Sequence, residues 1–176
     1  MNLVIDIGNT QVKAAVFEKD TLQYVVSFDK RSIFSQIKAI IKKYDISDAI
    51  LSNVALISEI KLKKLQQIVH LRIISSSTKV PFINSYQTPK TLGVDRIALA
   101  TAAVREFPNK NVLVIDLGTC ITYDLLTYDN RYFGGSISPG IAMRYKSVHT
   151  FTKNLPDFLR WALPSHSFIR EGHDSL

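Results

Sequence analysis

The stretch VIDIGNTQVKAAV, residues 4–16, decides the fold of this chain. A short apolar run is followed by the polar turn Gly8-Asn9-Thr10, and a second largely apolar run begins directly after it. Short apolar runs separated by turn residues predict two antiparallel strands, over residues 3–7 and 11–18. A similar stretch, VIDLGTCITYD, returns at residues 114–124. A repeated strand-turn-strand unit predicts two related domains, with a boundary near residue 110.

Apolar periodicity predicts the remaining elements. Segments with the apolar period of a strand alternate with segments that have the apolar period of a helix. This alternation indicates α/β architecture with mixed sheets and helical crossovers. A third strand of the meander is expected over residues 21–28. The chain then predicts helices over 33–44, 59–69, 95–107 and from about 141, strands over 49–54, 71–74, 111–117 and 123–128, and loops over 75–93 and 134–140.

Composition narrows the class of protein. The 176 residues are 46% hydrophobic with a net charge of +7, which favours a packed core. No apolar run reaches the roughly 18 residues of a membrane helix, and the first residues lack the pattern of a signal peptide. The single cysteine, Cys120, allows no internal disulfide, and the four histidines lack metal-ligand spacing. We therefore expect a cytoplasmic protein with no membrane partner.

The basic residues are interpreted as solvated helix faces rather than as a nucleic-acid surface. Lysines recur at positions 38, 42 and 43 and again at 61, 63 and 64, without interleaved aromatic residues. Both groups fall within predicted amphipathic helices, where long cationic side chains commonly face solvent. No nucleic-acid partner is expected, although a positive field attracts small anions.

The two repeated turns have the chemistry of a phosphate site. Gly8 has no Cβ, so a phosphate can approach the backbone, whose N–H groups can point at its oxygens. Further polar groups come from Asn9, Thr10 and Lys13. Asp6 and Asp116 end the two similar strands, and carboxylates are hard ligands suited to Mg²⁺ or another cation bound with phosphate. An ordinary structural hairpin turn is the alternative interpretation.

Four motifs in order resemble those of the type III pantothenate kinases, within the acetate and sugar kinase, Hsp70 and actin superfamily. They are DIGNT from Asp6, GVDR from Gly93, DLGT from Asp116 and GGSISPG from Gly134, and the resemblance covers roughly residues 1–156. It implies two RNase H-like (actin-like ATPase) domains, here 1–110 and an incomplete 111–176. It also implies a homodimer that phosphorylates pantothenate with ATP to 4'-phosphopantothenate, the first step of coenzyme A biosynthesis.

The resemblance also implies roles for residues of the acceptor site. Asp95 would be the general base that takes the proton of the pantothenate hydroxyl, or simply the N-cap of the following helix. Arg96 would bind the substrate carboxylate through parallel donors, or lie on the surface in the first helical turn. Tyr86 would contact substrate or pack within its loop. Gly93 and Val94 complete the implied substrate-binding set.

ATP and cations are assigned in the same way. The phosphates of ATP would be bound by Asp6, Ile7, Gly8, Asn9, Thr10, Gln11, Val12 and Lys13, with Thr119 from the second turn. Asp6 would hold Mg²⁺, and Asp116 would bind a monovalent cation, K⁺ or NH₄⁺. Phosphoryl transfer would then depend mainly on positioning and charge stabilisation.

The last residues, 157–176, do not follow the family pattern. Back-translation of residues 168–175 with suitable codons gives a family-like segment one base later, which suggests a frameshift after about Pro156. An inactive truncated remnant with an exposed apolar patch therefore competes with an active kinase as an interpretation. Two further interpretations are a superfamily kinase for a different acceptor and a non-catalytic regulatory relative, whose DNA binding would fall steeply with salt.

Overall fold

A computed structural model describes residues 1–53 and 58–156 of the chain. Nine strands and four α-helices alternate within these residues, which confirms the predicted α/β class. The strands are β1 Asn2–Ile7, β2 Val12–Glu18, β3 Thr21–Phe28, β4 Asp48–Asn53, β5 His70–Ile73, β6 Ile83–Asn84, β7 Val112–Leu117, β8 Cys120–Leu126 and β9 Arg131–Pro139. The helices are α1 Ile33–Tyr44, α2 Glu59–Gln66, α3 Val94–Glu106 and α4 Ile141–Phe151.

The first sheet has the strand order β3-β2-β1-β4-β5. The predicted meander is confirmed, because β1 pairs antiparallel with β2 and β2 antiparallel with β3. Next, β4 pairs parallel with β1 and β5 parallel with β4, as strands joined through helical crossovers do. The carboxyl ends of β1 and β4 therefore lie side by side, with Ile7 opposite Asn53.

One hydrophobic core covers a face of this sheet. Alternate residues Leu3, Ile5 and Ile7 of β1 are at most 1% exposed, as the period of two requires. From α1 they meet Ile33, Ile37 and Ile40, three and four residues apart on one stripe of the helix. Burial of each such side chain contributes about 1.5–3 kcal/mol, so this core holds the first turn in place.

The second sheet has the order β6-β9-β8-β7, and a second core lies beside it. The buried residues Ile97, Ala100 and Ala103 of α3 pack with Leu126 and Tyr132 from β8 and β9. β6 lies within the segment 75–93 that was predicted as a loop, and a short 3-10 helix follows it at Pro89–Thr91. A two-residue strand is too short for its period to be visible in the sequence.

The predicted loop over residues 134–140 is wrong, because β9 runs through it to Pro139. Two glycines, two serines and a proline disfavour a strand locally, but pairing with β8 overrides that preference. Gly134 has φ +78°, and a Cβ at this position would clash with the ring of Tyr86. The glycine is therefore needed for backbone conformation and for space. The helix predicted from about residue 141 is confirmed as α4.

The described residues fall into two compact units. The first runs up to Val114 and includes Asp124–Gly135, and the second comprises Ile115–Tyr123 and the described residues from Ser136 onward. The boundary predicted near residue 110 was placed by the repeated strand-turn-strand unit, whereas these units are defined by their internal contacts. The domain boundary therefore stays a prediction. The hypothesis about residues 157–176 lies outside the described residues. No helix in the described part of the chain is long and apolar enough to span a membrane.

Candidate functional site

The first turn is a closed structure at the end of β1. The Gly8 N–H donates to the Gln11 carbonyl at 3.1 Å, which holds the two strands together. Asn9 and Thr10 lie exposed at the tip of the turn. The Lys30 ammonium donates to the Asn9 carbonyl at 2.6 Å, so a cation that sequence analysis did not single out lies beside the turn.

Asp6 lies at the centre of three neighbouring strands. It is opposite Lys13 of β2 on one side and opposite Ser52 of β4 on the other. Side chains directly opposite each other project from the same sheet face, so a carboxylate, an ammonium and a hydroxyl share that face. Asp6 is half-buried and Lys13 is exposed. Ile7 and Val12, also predicted as phosphate residues, point into the core and can contribute backbone groups.

Asp95 occupies the first turn of α3, but it is not the N-cap. The N-cap is Gly93, and the Asp95 carboxylate accepts a hydrogen bond from the Arg96 N–H at 2.8 Å. An acidic side chain in this position accepts a hydrogen bond from a free amide of the first turn. Its negative charge also interacts favourably with the positive end of the helix dipole. A Cβ on Gly93 would collide with the Asp95 carboxylate, so a larger residue there would displace that carboxylate from its present position. The N-cap interpretation of Asp95 is therefore wrong.

Arg96 is buried, not on the surface, and its charge is paired. Its side chain is 6% exposed, and the partner carboxylate of Asp124 is 0% exposed. Arg96 Nε donates to both Asp124 oxygens, at 3.0 and 3.1 Å, and Nη2 also donates to Asp124. A bidentate arrangement fixes the plane of the guanidinium as well as its position. Asp124 engages Nε and Nη2 of the guanidinium.

Tyr132 also donates a hydrogen bond to the Asp124 carboxylate. Its hydroxyl donates to Asp124 Oδ1 at 2.6 Å from a fully buried ring. Burial, and next the hydrogen bond to Asp124, raise the pKa of the Tyr132 phenol well above its usual range. Burial acts to lower the pKa of Arg96, but the hydrogen bond to Asp124 and the nearby charges outweigh it, so that pKa is raised. Arg96 therefore keeps its charge in the folded protein.

Tyr86 lies against this cluster. The Arg96 guanidinium carbon is 5.4 Å from the centre of the Tyr86 ring, and the rings of Tyr86 and Tyr132 are 6.3 Å apart. The ring also covers Gly134. Tyr86, Gly93, Val94, Asp95 and Arg96, all predicted as acceptor-site residues, thus belong to one compact unit. Loop packing and contact with a ligand are compatible for Tyr86, because its side chain is half-buried.

The second turn belongs to the second compact unit. Asp116 and Thr119 are both exposed, and the turn closes through a Gly118 N–H that donates to the Cys120 carbonyl at 2.9 Å. The Thr119 carbonyl accepts from the Gly140 N–H at 3.0 Å, which fastens the start of α4 to this turn. β8 begins at Cys120, three residues before the strand predicted over residues 123–128.

Sequence reasoning missed Asp124, Tyr132 and Lys30. Asp124 stood within a largely apolar strand, where a carboxylate is buried only with a partner, so its presence was a usable signal. Its partner is 28 residues away, and no local pattern identifies it. Tyr132 and Lys30 carried no comparable signal in the sequence.

An open hollow of about 530 Å³ lies elsewhere on the first sheet. It is lined by residues that include Asn2, Asp48 and Arg72, at the amino ends of β1 and β4 and in β5. The first turn is at the opposite end of β1, so none of the predicted phosphate residues lines this hollow. Ligands of open α/β sheets bind beyond the carboxyl ends of the strands, which favours the turn as the site.

The fold and the two turns define a class of protein. The meander followed by two parallel strands, with helices as crossovers, is an RNase H-like fold. A solved structure from Campylobacter jejuni, named for the Baf family of transcriptional activators, has a similar fold. It matches with a TM-score of 0.53 and 24% identity, over 85% of this chain and 59% of that one.

A sequence model of the type III pantothenate kinase family matches residues 2–174. A type III pantothenate kinase of Christiangramia forsetii is 49% identical over 89% of this chain and 65% of its own length. One from Bacteroides fragilis is 45% identical over 89% of this chain and 64% of its own length. The chain belongs to the type III pantothenate kinase family.

The chain spans a little less than two thirds of the curated relatives it matches. The family match continues to residue 174, so the expectation that residues 157–176 depart from the family pattern is wrong for most of that segment. This extent does not favour the interpretation as an inactive remnant.

Proposed function

We propose that this chain carries the ATP and pantothenate sites of a type III pantothenate kinase, and that the activity is phosphorylation of pantothenate by ATP. The observation that carries this proposal is the match of the family model along residues 2–174. The local geometry supports it, since the turn at Asp6, the half-buried Asp95 and the buried cation Arg96 occupy the positions of the family motifs.

In the proposed reaction the pantothenate hydroxyl attacks the γ-phosphorus of ATP. A new P–O bond forms, the bond to the β-phosphate oxygen breaks, and ADP leaves. Asp95 takes the hydroxyl proton on its carboxylate, which the Arg96 N–H holds at the start of α3 and for which Gly93 leaves room. Positioning and charge stabilisation supply most of the catalysis in such transfers.

The pantothenate carboxylate binds to Arg96 in this proposal. Asp124 takes Nε and Nη2, so Nη1 is the donor assigned to it. Asp124 and Tyr132 then act as positioning residues, since they fix the guanidinium before substrate arrives. Tyr86, Gly93 and Val94 line the same substrate subsite in the proposal.

Phosphate binding is assigned to Asp6–Lys13, with Thr119 as a further contact. The residues fit a magnesium ion, because Mg²⁺ is bound through one or two carboxylates together with phosphate oxygens and water, and Asp6 supplies such a carboxylate. When bound, the ion neutralises charge on the phosphates. Asp116 is assigned to K⁺ or NH₄⁺. A homodimeric state and a cytoplasmic location are part of the same proposal and rest on family membership alone.

The test compares Asp95→Asn with Glu106→Gln, a neutralised acid at the far end of the same helix. We expect Asp95→Asn to bind ATP as wild type does and to lose turnover by about 10²–10⁴-fold, the usual contribution of a general base. Glu106→Gln should turn over normally. A coupled assay with pantothenate, acetate, glycerol and sugars identifies the acceptor. Near wild-type turnover by Asp95→Asn would exclude Asp95 as the base, and preference for another acceptor would exclude pantothenate.

A further inference from the structure

Ser52, at the carboxyl end of β4, has a buried hydroxyl with no partner. The residue is 7% exposed, and its Oγ makes no hydrogen bond within the described part of the chain. A buried polar atom without a partner costs free energy, and buried polar groups in native proteins are nearly always paired. An unpaired hydroxyl beside a ligand site indicates a partner that is engaged in another state of the protein.

The register places Ser52 beside the proposed phosphate turn. Ser52 is directly opposite Asp6 across the parallel pair of β1 and β4. Two residues earlier on the same sheet face, Ile50 and Val4 are 39% and 38% exposed, so this face is open until it reaches Ser52. Ser52 is therefore buried at the end of this face that lies beside the turn, next to the Asp6 carboxylate.

A second unpaired atom lies at the same edge. Asn53 Oδ1 is also buried without a partner among the described residues, and Asn53 is opposite Ile7, which precedes the turn. These two adjacent unpaired groups lie at the carboxyl end of β4, beside the carboxyl end of the parallel strand β1, which is where α/β sheets bind ligands. Ser52 shares a face with Asp6, whereas Asn53 projects from the other face, so Ser52 is the residue placed to act on Asp6.

We propose that Ser52 is a positioning residue for the nucleotide-bound magnesium ion. In the bound state its hydroxyl donates to the Asp6 carboxylate and sets the direction in which that carboxylate faces the hydrated cation. An ionised carboxylate can accept several hydrogen bonds at once, so donation from Ser52 leaves acceptor sites for water on the ion. The inference rests on the proposed function, because it concerns how the same site holds Mg²⁺ and ATP.

This role predicts that Ser52→Ala weakens ATP binding without lowering the stability of the ligand-free protein. Removal of an unpaired buried hydroxyl should leave the thermal stability of the ligand-free protein unchanged or raised. The same substitution should weaken binding of ATP in the presence of Mg²⁺ about 5–10-fold, since a hydrogen bond to a charged group is lost in the bound state. The KM for ATP should rise by a similar factor, with kcat changed less.

The experiment measures ATP binding to the full chain by calorimetry with and without Mg²⁺, together with thermal unfolding without ligand. Ser27→Ala is the matched control, since Ser27 is opposite Lys13 on the same face but exposed. Ser52→Ala is also measured in an Asp6→Asn background. Because Ser52 acts through the Asp6 carboxylate, its effect on binding should be smaller there, where the uncharged amide oxygen accepts a weaker hydrogen bond.

Four results would overturn the inference. Binding by Ser52→Ala within twofold of wild type would remove the role, and weaker binding accompanied by a lower melting temperature would show a structural one. An undiminished effect of Ser52→Ala in the Asp6→Asn background would show that it does not act through Asp6. Failure of the wild-type chain to bind ATP with Mg²⁺ at all would refute the proposed function itself, and the inference with it.

Discussion

Asp124→Ala should destabilise the protein far more than removal of an ordinary acidic residue. The substitution leaves the Arg96 guanidinium charged, buried and without its bidentate partner, and it removes the acceptor of the Tyr132 hydroxyl. Breaking a buried pair by removing one member costs about 3–5 kcal/mol. An unsatisfied hydroxyl adds about 1 kcal/mol or more. We expect a total of about 4–6 kcal/mol.

That loss is a large part of the stability of a typical domain, which is about 5–15 kcal/mol. For a chain of this size it corresponds to a fall in melting temperature of roughly 10–20 °C. Urea unfolding followed by circular dichroism measures the free energy directly, and a thermal scan measures the melting temperature.

Asp20→Ala is the matched control for Asp124→Ala. Asp20 pairs with Arg105 at 2.9 Å, but the two side chains are 83% and 71% exposed. Such surface pairs contribute about 0–1 kcal/mol, because water and side-chain entropy offset the attraction. The double variant Arg96→Met with Asp124→Leu should recover much of the lost stability, since it removes both charges and fills the space. Equal destabilisation by Asp124→Ala and Asp20→Ala, within about 1 kcal/mol, would refute the reasoning.

Two further predictions concern pH and cations. Burial, and then Asp124, raise the pKa of Tyr132 above its usual value of 10.0, so the folded state retains this proton more strongly than the unfolded state. The stability that Tyr132 contributes is therefore fully present below pH 10 and is lost as the pH rises above it. The free energy of unfolding in urea should change less between pH 8 and pH 11 for Tyr132→Phe than for wild type. Equal changes in the two proteins would contradict this. Kinase activity should need K⁺ or NH₄⁺, and Asp116→Asn should abolish the activation; full activity in sodium-only buffer would remove the role of Asp116.

The exact limits of β3 and α1 were predicted from local pattern. The interval between apolar residues reports which backbone conformation buries them, and the turn residues at Gly8–Thr10 interrupt that pattern visibly. The first turn was located for the same reason, since its glycine and polar side chains are adjacent in sequence. The candidate residues Asp6, Asp95 and Arg96 were found through motifs, whose spacing is likewise a local property.

Tertiary structure decided what these residues contact. Arg96 was expected to bind a substrate carboxylate or to lie on the surface. Its side chain is buried, its plane is fixed by Asp124, and that pairing depends on how α3 packs beside β8. Residues 134–139 form a strand because pairing with β8 overrides weak local propensity, and the ring that requires glycine at 134 comes from Tyr86, 48 positions earlier. The period of two assigns Ser52 to a sheet face, but it does not specify which strand lies opposite. The parallel register with β1 does so, and it brings an unpaired hydroxyl to the side of Asp6.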